Sequence, residues 1–413
     1  MSTPPLSGSP PLPRLRLDLE FHPSPDPARP GLLVRDPFRY SDVTLIVPPL
    51  LLRGMTLLDG AHSMEDMHAL MVPMVGLSKV DGIVKDLLEG LSEAGFLNDD
   101  AFARIRAGRE QAFVAAATRQ AAHAGGGYPL DAAELKQTLS AWMTRASAID
   151  VRDQLVAIAA PHASPHAAVP TYATAFDALP ASPEAVADRT FVVLGTSHYG
   201  APGSFGLTHK PFETPLGTAT TNTALVKALS AAAPGAFTLD DYCQSIEHSI
   251  EFQVLFLQHR FGPDVRILPL LCGPFVNARP EDNDNVARAL GALGDLHAKH
   301  GDRLLWVLGV DMAHIGPRYG DQAAARANDD QMTRVAERDR ERMDRINSGD
   351  AAGFWDLVGG AARDDLKWCG AAPLYTFLRA VPDTRGQTLH YDQWNIDDSS
   401  VVSFAALSFS RGS

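Results

Sequence analysis

The chain has 413 residues, 45% of them hydrophobic and 21% charged, which is more than one ordinary core holds and has the balance of a soluble globular protein. A formal net charge of −13 with no Lys/Arg-rich run argues against nucleic acid or an anionic membrane surface as partner. Three widely spaced cysteines (Cys243, Cys272, Cys369), no CxxC pair, no signal-peptide core and no apolar run of bilayer length exclude a disulfide framework, a Cys-rich zinc site and a membrane span, and suit a reducing cytoplasm.

Residues 1–36 carry nine prolines and read as an extended or disordered leader. The texture changes after Asp36. The run YSDVTLIVPPLLL over 40–52 is strand-like. A turn at Asp59-Gly60 leads into a helix for which Ser63 is the expected N-cap, with Asp66 three positions on. Val84, Leu87, Leu88, Leu91 and Phe96 then keep near-helical spacing. Residues 37–100 thus make a small α+β domain. Leu58-Asp59-Gly60 and Glu93-Ala94-Gly95-Phe96-Leu97 give it a resemblance to PqqD-like and winged-helix modules. That resemblance implies peptide recruitment or nucleic-acid contact, the acidic charge disfavouring the second; a plain packing or dimerisation domain fits the residues as well.

Residues 101–149 read as a helical linker: one long helix over 101–122, the break Gly125-Gly126-Gly127, and a second helix from Asp131 with Glu134 in its first turn. From about residue 150 the pattern becomes β-α alternation to the end of the chain. Strands are expected at 155–159, 191–194, 265–271, 304–310 and 401–407, and helices at 170–179, 221–232, 245–261, 286–300 and 321–348. This is the pattern of an α/β domain, a mainly parallel or mixed sheet with helices on both faces.

Two of those strands, LVAIAAPH and TFVVLGTSH, are buried-type apolar runs that stop at a histidine, His162 and His198. Ligands bind just beyond the carboxyl ends of strands in open α/β sheets, and imidazole is a common ligand for zinc, copper and non-haem iron. Asp311-Met312-Ala313-His314 follows a third strand, and Glu247-His248 opens an amphipathic helix. A lone histidine at such a position is usually a hydrogen-bonded structural one; four convergent segments point to a functional cleft. His166 lies four residues beyond His162, but Pro165 breaks the helical geometry that would pair them. Cys369 reads as a reactive thiol or, by default, a small buried hydrophobe. There is no P-loop, GxGxxG or GxSxG motif.

Taken in order, Ala160-Pro161-His162, Pro170-Thr171-Tyr172, Leu194 to Gly200, Thr214-Pro215-Leu216-Gly217, Glu247 to Glu251, Asp311 to His314, Cys369-Gly370 and Ser400 to Phe404 resemble the Memo family (AmmeMemoRadiSam system protein B), from about residue 150 to the end. The resemblance implies a fold similar to the class III extradiol dioxygenases, a metal held by His162 and His198, and a pocket histidine at His248. It places the family's cysteine at Ala313, so the third ligand is expected from His314, with Asp311 or His166 as substitutes. The expected site is therefore His162, His198 and His314 around Fe(II), or else zinc or copper, with His248, Asp311 and Glu247 as the catalytic groups. Three readings follow: a non-haem iron oxidoreductase acting on a small molecule or peptide, a non-catalytic peptide-binding protein with a vestigial cleft, and a metal-dependent hydrolase.

Overall fold

A computed structural model describes residues 10–143, 154–359 and 364–412. The chain forms two compact units, Met1–Ala115 and Ala116–Ser413, so the break falls inside the stretch expected to be a linker. Among the described residues no helix is long and apolar enough to cross a membrane.

The first unit pairs the strands Glu20–Pro23, Leu32–Arg35 and Thr44–Val47 in one antiparallel sheet, with the helices Pro49–Met55, Met64–Val75, Leu77–Glu93 and Asp100–Ala115. Val34, Met67, Met71, Val84, Leu91 and Phe96 lie in its core. The expected strand over 40–52 divides at its prolines. Its apolar half up to Val47 pairs, and Pro49 then opens a helix, where its missing N–H costs nothing. Residues 10–36 are part of this fold rather than a free leader. Arg16 is buried, bonded to Asp36 at 3.0 Å and to the Gly95 carbonyl at 3.0 Å, with its guanidinium 3.9 Å from the Phe102 ring centroid. The Ser63 cap forms as a reciprocal capping box with Asp66.

The second unit is built on a mixed sheet of eleven strands among the described residues. Its centre runs, in spatial order, Arg266–Cys272, Thr190–Thr196, Leu304–Gly309 and Leu155–Ala160, all parallel. Val401–Arg411 then adds antiparallel to Leu155–Ala160, and Thr384–Asn395 antiparallel to Val401–Arg411. The four central strands are covered on both sides, as their unbroken apolar runs require. Alternate residues point to opposite faces. Val192, Leu194, Trp306 and Leu308 join the helices Asp284–His300, Asp330–Asn347 and Ala371–Ala380. Phe191, Val193, Leu305 and Val307 join Val169–Asp177 and His248–Phe261.

The helix expected over 101–122 stops at Ala115. Nothing in its sequence breaks it; the chain leaves the helix so that Arg119 can bury its guanidinium among partners in the second unit, described below. The second expected helix begins at Ala132, with the Asp131 side chain accepting the N–H groups of Ala133 and Glu134 at 3.0 and 2.9 Å.

Candidate metal centre

Three neighbouring strands end at one level. Gly309 is in register with Gly195 on one side and Ala160 on the other, so the residues just beyond, His162, Asp311 and His198, emerge together at the carboxyl edge. The His162 and His198 rings lie 5.0 Å apart, and His248 completes a trio at 5.3 Å from His162 and 4.9 Å from His198.

The His162 and His198 rings are each held by a group behind them. His162, fully buried, has Nδ1 2.9 Å from the Gly309 carbonyl and its backbone N–H on Asp311 at 3.0 Å. A carbonyl only accepts, so Nδ1 carries the proton and Nε2 presents its lone pair to the site. The Nδ1 of His198 is 3.0 Å from Glu247, and its backbone N–H donates to the other oxygen of the same carboxylate at 2.9 Å. Glu247 is also the N-cap of His248–Phe261, accepting the N–H groups of His248 and Ser249 at 2.9 and 3.2 Å. One buried carboxylate therefore ties the helix start to the strand end.

That helix is drawn against the sheet. A Cβ at Gly309 would lie 2.2 Å from the Ser249 carbonyl oxygen, a separation only glycine tolerates. Gln253, one turn further on, donates to the Pro161 carbonyl at 2.7 Å.

The electrostatics follow from burial and from Glu247. Burial alone would raise the Glu247 carboxyl, but His198 and the N–H donors overcome it and keep it ionised far below the usual range. Burial likewise works against a charged His198, yet the adjacent Glu247 wins and raises it. His162 and His248 move down through desolvation and stay neutral. Burial pushes the Cys369 thiol well up.

Cys369 supplies what sequence reasoning missed. Its Sγ lies 3.2 Å from Nε2 of His162, and His162, Asp311 and Cys369 offer ligand atoms within 4.8 Å of one another, as do His162, His198 and His248. His162 is common to both groups. The sulfur near His162 thus stands on a different loop from Ala313, where the resemblance placed the family's cysteine, and from His314, which was expected to replace it. Ala313 itself is fully buried, its N–H bonded to Ser403 Oγ at 2.9 Å. Gly370 permits the approach, since a Cβ there would meet Val310 at 2.6 Å and the Asp311 carbonyl at 2.7 Å.

His314 is not brought to these ligand atoms. Its Nδ1 bonds the Met312 carbonyl at 2.9 Å and its ring stands edge-on to Tyr319; burial pushes it down to about 4. His166 is exposed and faces Ser164 and Trp394. A residue not anticipated, His123, lies with its ring 5.6 Å from that of His248 and with Nε2 2.8 Å from the Ile246 carbonyl.

The donor set fits a metal ion. Zinc-type distances of about 2.0 Å to nitrogen and 2.3 Å to sulfur put two ligands of a tetrahedral ion about 3.5 Å apart, close to the Sγ–Nε2 separation. His198 and Cys369 line a cleft of about 410 Å³ whose walls include Phe275, Val276, Trp355 and Trp368. Thr214-Pro215-Leu216-Gly217 makes the turn between the strands Phe212–Thr214 and Gly217–Thr221.

The Memo-like protein family model matches residues 119–408. A MEMO1 family protein of Methanosarcina acetivorans is 29% identical over 300 residues, 70% of this chain and 98% of that protein. One from Thermus thermophilus is 29% identical over 314 residues, 75% of this chain and 85% of the relative. The crystal structure of an uncharacterized protein from Escherichia coli K12 superposes with a TM-score of 0.40 at 15% identity, covering 62% of this chain and 99% of that one. This chain belongs to the Memo-like protein family.

Proposed function

We propose that the cleft is a metal-dependent oxidoreductase centre acting on a small molecule, with the ion held by His162, His198 and Cys369. The observation that carries this reading is the Cys369 sulfur 3.2 Å from the unprotonated nitrogen of His162. Two imidazoles and a thiol would suit iron(II) or copper. When bound, such an ion supplies electron transfer to or from a molecule in the cleft.

The protein's own groups bind, orient and shield. Glu247 fixes His198 in the tautomer that frees Nε2. Asp311 holds the His162 backbone, and its carboxylate lies 3.6 Å from the ring's Nε2. His248, neutral and stacked on His198, is placed to hold a proton for a bound oxygen atom. The aromatic wall excludes water from a substrate lying against it. Glu247 is a positioning residue rather than a proton carrier, because its charge is committed to His198 and to the helix start.

Anaerobic loading with Fe(II), followed by elemental analysis, tests the reading. One ion per chain is expected, with loss in His162→Ala and Cys369→Ser. Wild-type protein that retains no metal, or variants that retain it equally, overturn it. The same ligand set suits zinc and hydrolysis by a bound water. The thiol favours that second reading over a vestigial peptide-binding cleft, and metal-selective retention of zinc over iron would support it.

A further inference from the structure

Asp364 to Gly370, the stretch that carries Cys369, lies outside helix and strand, so side chains must hold the sulfur in place. Asp364 does part of this locally, accepting the N–H groups of Leu366 at 3.1 Å and Trp368 at 2.6 Å. The rest comes from a distant helix. Asp339, on Asp330–Asn347 and wholly buried, accepts the Trp368 indole N–H at 2.8 Å. Its other oxygen accepts the hydroxyls of Ser403 at 2.6 Å and Tyr391 at 2.8 Å. Ser403 Oγ in turn accepts the Ala313 N–H, and the Ser403 backbone bonds Ala313 and Met312 at 2.9 and 2.8 Å.

One carboxylate thus grips both the residue before Cys369 and, through Ser403, the loop that leaves Asp311. Burying a carboxylate is costly unless it is fully bonded, and among the described residues Asp339 has no direct partner of opposite charge: Arg342 donates instead to the Arg338 and Leu357 carbonyls and lies 3.8 Å from Asp364. An apolar residue would fill a helix position of this kind at less cost. Its use here is geometric.

We propose that Asp339 is a positioning residue that sets the Cys369 sulfur against His162 through the Trp368 indole. The proposal rests on the reading of Cys369 as a metal ligand. Outer partners of this sort typically change metal affinity by about 10–100-fold.

Co(II) is the probe, added alone to the metal-free full-length chain, with affinity and the near-ultraviolet sulfur-to-cobalt absorption as readouts. Trp368→Phe, which removes the indole donor together with part of its buried ring, is expected to weaken Co(II) binding by ~10–100-fold and to dim or shift the sulfur band. Asp339→Ala is expected to do the same, Asp339→Asn to restore most of it by keeping an acceptor for the indole, and the double variant Asp339→Ala/Trp368→Phe to be no worse than Asp339→Ala. Tyr391→Phe takes a donor from the same carboxylate without a link to Cys369, and is expected to lower thermal stability while leaving the band unchanged. If Asp339→Ala does not fold, Trp368→Phe against Tyr391→Phe still decides. Wild-type affinity and spectrum in Trp368→Phe, or equal losses in Trp368→Phe and Tyr391→Phe, overturn the proposal. Absence of a sulfur band in the wild-type protein overturns the Cys369 assignment and this inference with it.

Discussion

Arg119→Met removes the cation from the most completely buried ion pair among the described residues of the second unit. Arg119 and Glu251 are both fully buried and bonded to each other. Arg119 also donates to the Gln244 and Glu247 carbonyls at 2.8 and 2.7 Å. Glu251 additionally accepts the N–H groups of Ala122 and His123 at 3.0 Å each and the Tyr128 hydroxyl. Methionine fills much of the space but leaves a buried carboxylate without its counter-charge, a change that typically costs about 3–5 kcal/mol. Unfolding entropy of about 2.1 cal/mol/K per residue, over a unit of about 300 residues, makes that a fall of about 5–8 °C in melting temperature. The sign of the pH dependence is fixed by Glu251. Burial pushes its pKa up, but Arg119 and the other partners overcome this and hold it low. In the wild type its contribution is therefore present above the ordinary carboxylate range and is lost as pH falls through the lowered value. Without Arg119 burial dominates, the pKa rises, and protonation relieves the defect, so the gap between variant and wild type narrows from pH 8 toward pH 5. Urea unfolding at both pH values measures it, and Arg119→Met/Glu251→Met is expected to recover part of the loss. A cost below about 1 kcal/mol at pH 8, or a gap that widens on acidification, refutes the reasoning.

Three further outcomes are expected. Gly309→Ala drives a methyl into the Ser249 carbonyl and shifts the Gly309 oxygen off His162, at a cost of about 1–3 kcal/mol; thermal unfolding together with Co(II) affinity checks it, and loss of stability with unchanged affinity would separate helix packing from the site. Ser63→Ala breaks the capping box of the first unit and is expected to cost about 0.5–2 kcal/mol, read from the unfolding transition of that unit. Glu247→Gln, in metal-free protein, is expected to lower the pH at which the His198 ring titrates, since the carboxylate raises it; NMR titration of the imidazole protons reports it, and an unmoved His198 would mean that Glu247 acts only on the helix start.

Much of the site could be read from the sequence because it is built at strand ends. An apolar run that stops at a histidine already says where the side chain emerges, and Leu155–Ala160, Thr190–Thr196 and Leu304–Gly309 formed almost where such runs predict. Glu247 and His248 were legible as polar residues near the start of the helix expected over 245–261, although that helix begins only at His248, with Glu247 as its N-cap. What escaped were partnerships between distant stretches. Cys369 meets His162 across 207 positions, and no local pattern distinguishes a ligating cysteine from a packing one. Arg119 fell unremarked within the helix expected over 101–122, and nothing local points to its partners at 244–251. The strand Thr384–Asn395 was invisible because it is half exposed and polar on both faces, so it lacks the alternation that reveals a strand.

The common level of Ala160, Gly195 and Gly309 also bears on how such a chain can diverge. Because strand residues alternate between faces, a single insertion or deletion inside any of the three strands would turn its terminal group away from the cleft. The long stretches between them are free of that constraint. Loops and helices can lengthen, shorten or acquire new surfaces while His162, His198 and Asp311 keep their places. Relatives of this chain should therefore differ in length mainly between the strands, with gaps absent from the few residues that lead into each ligand.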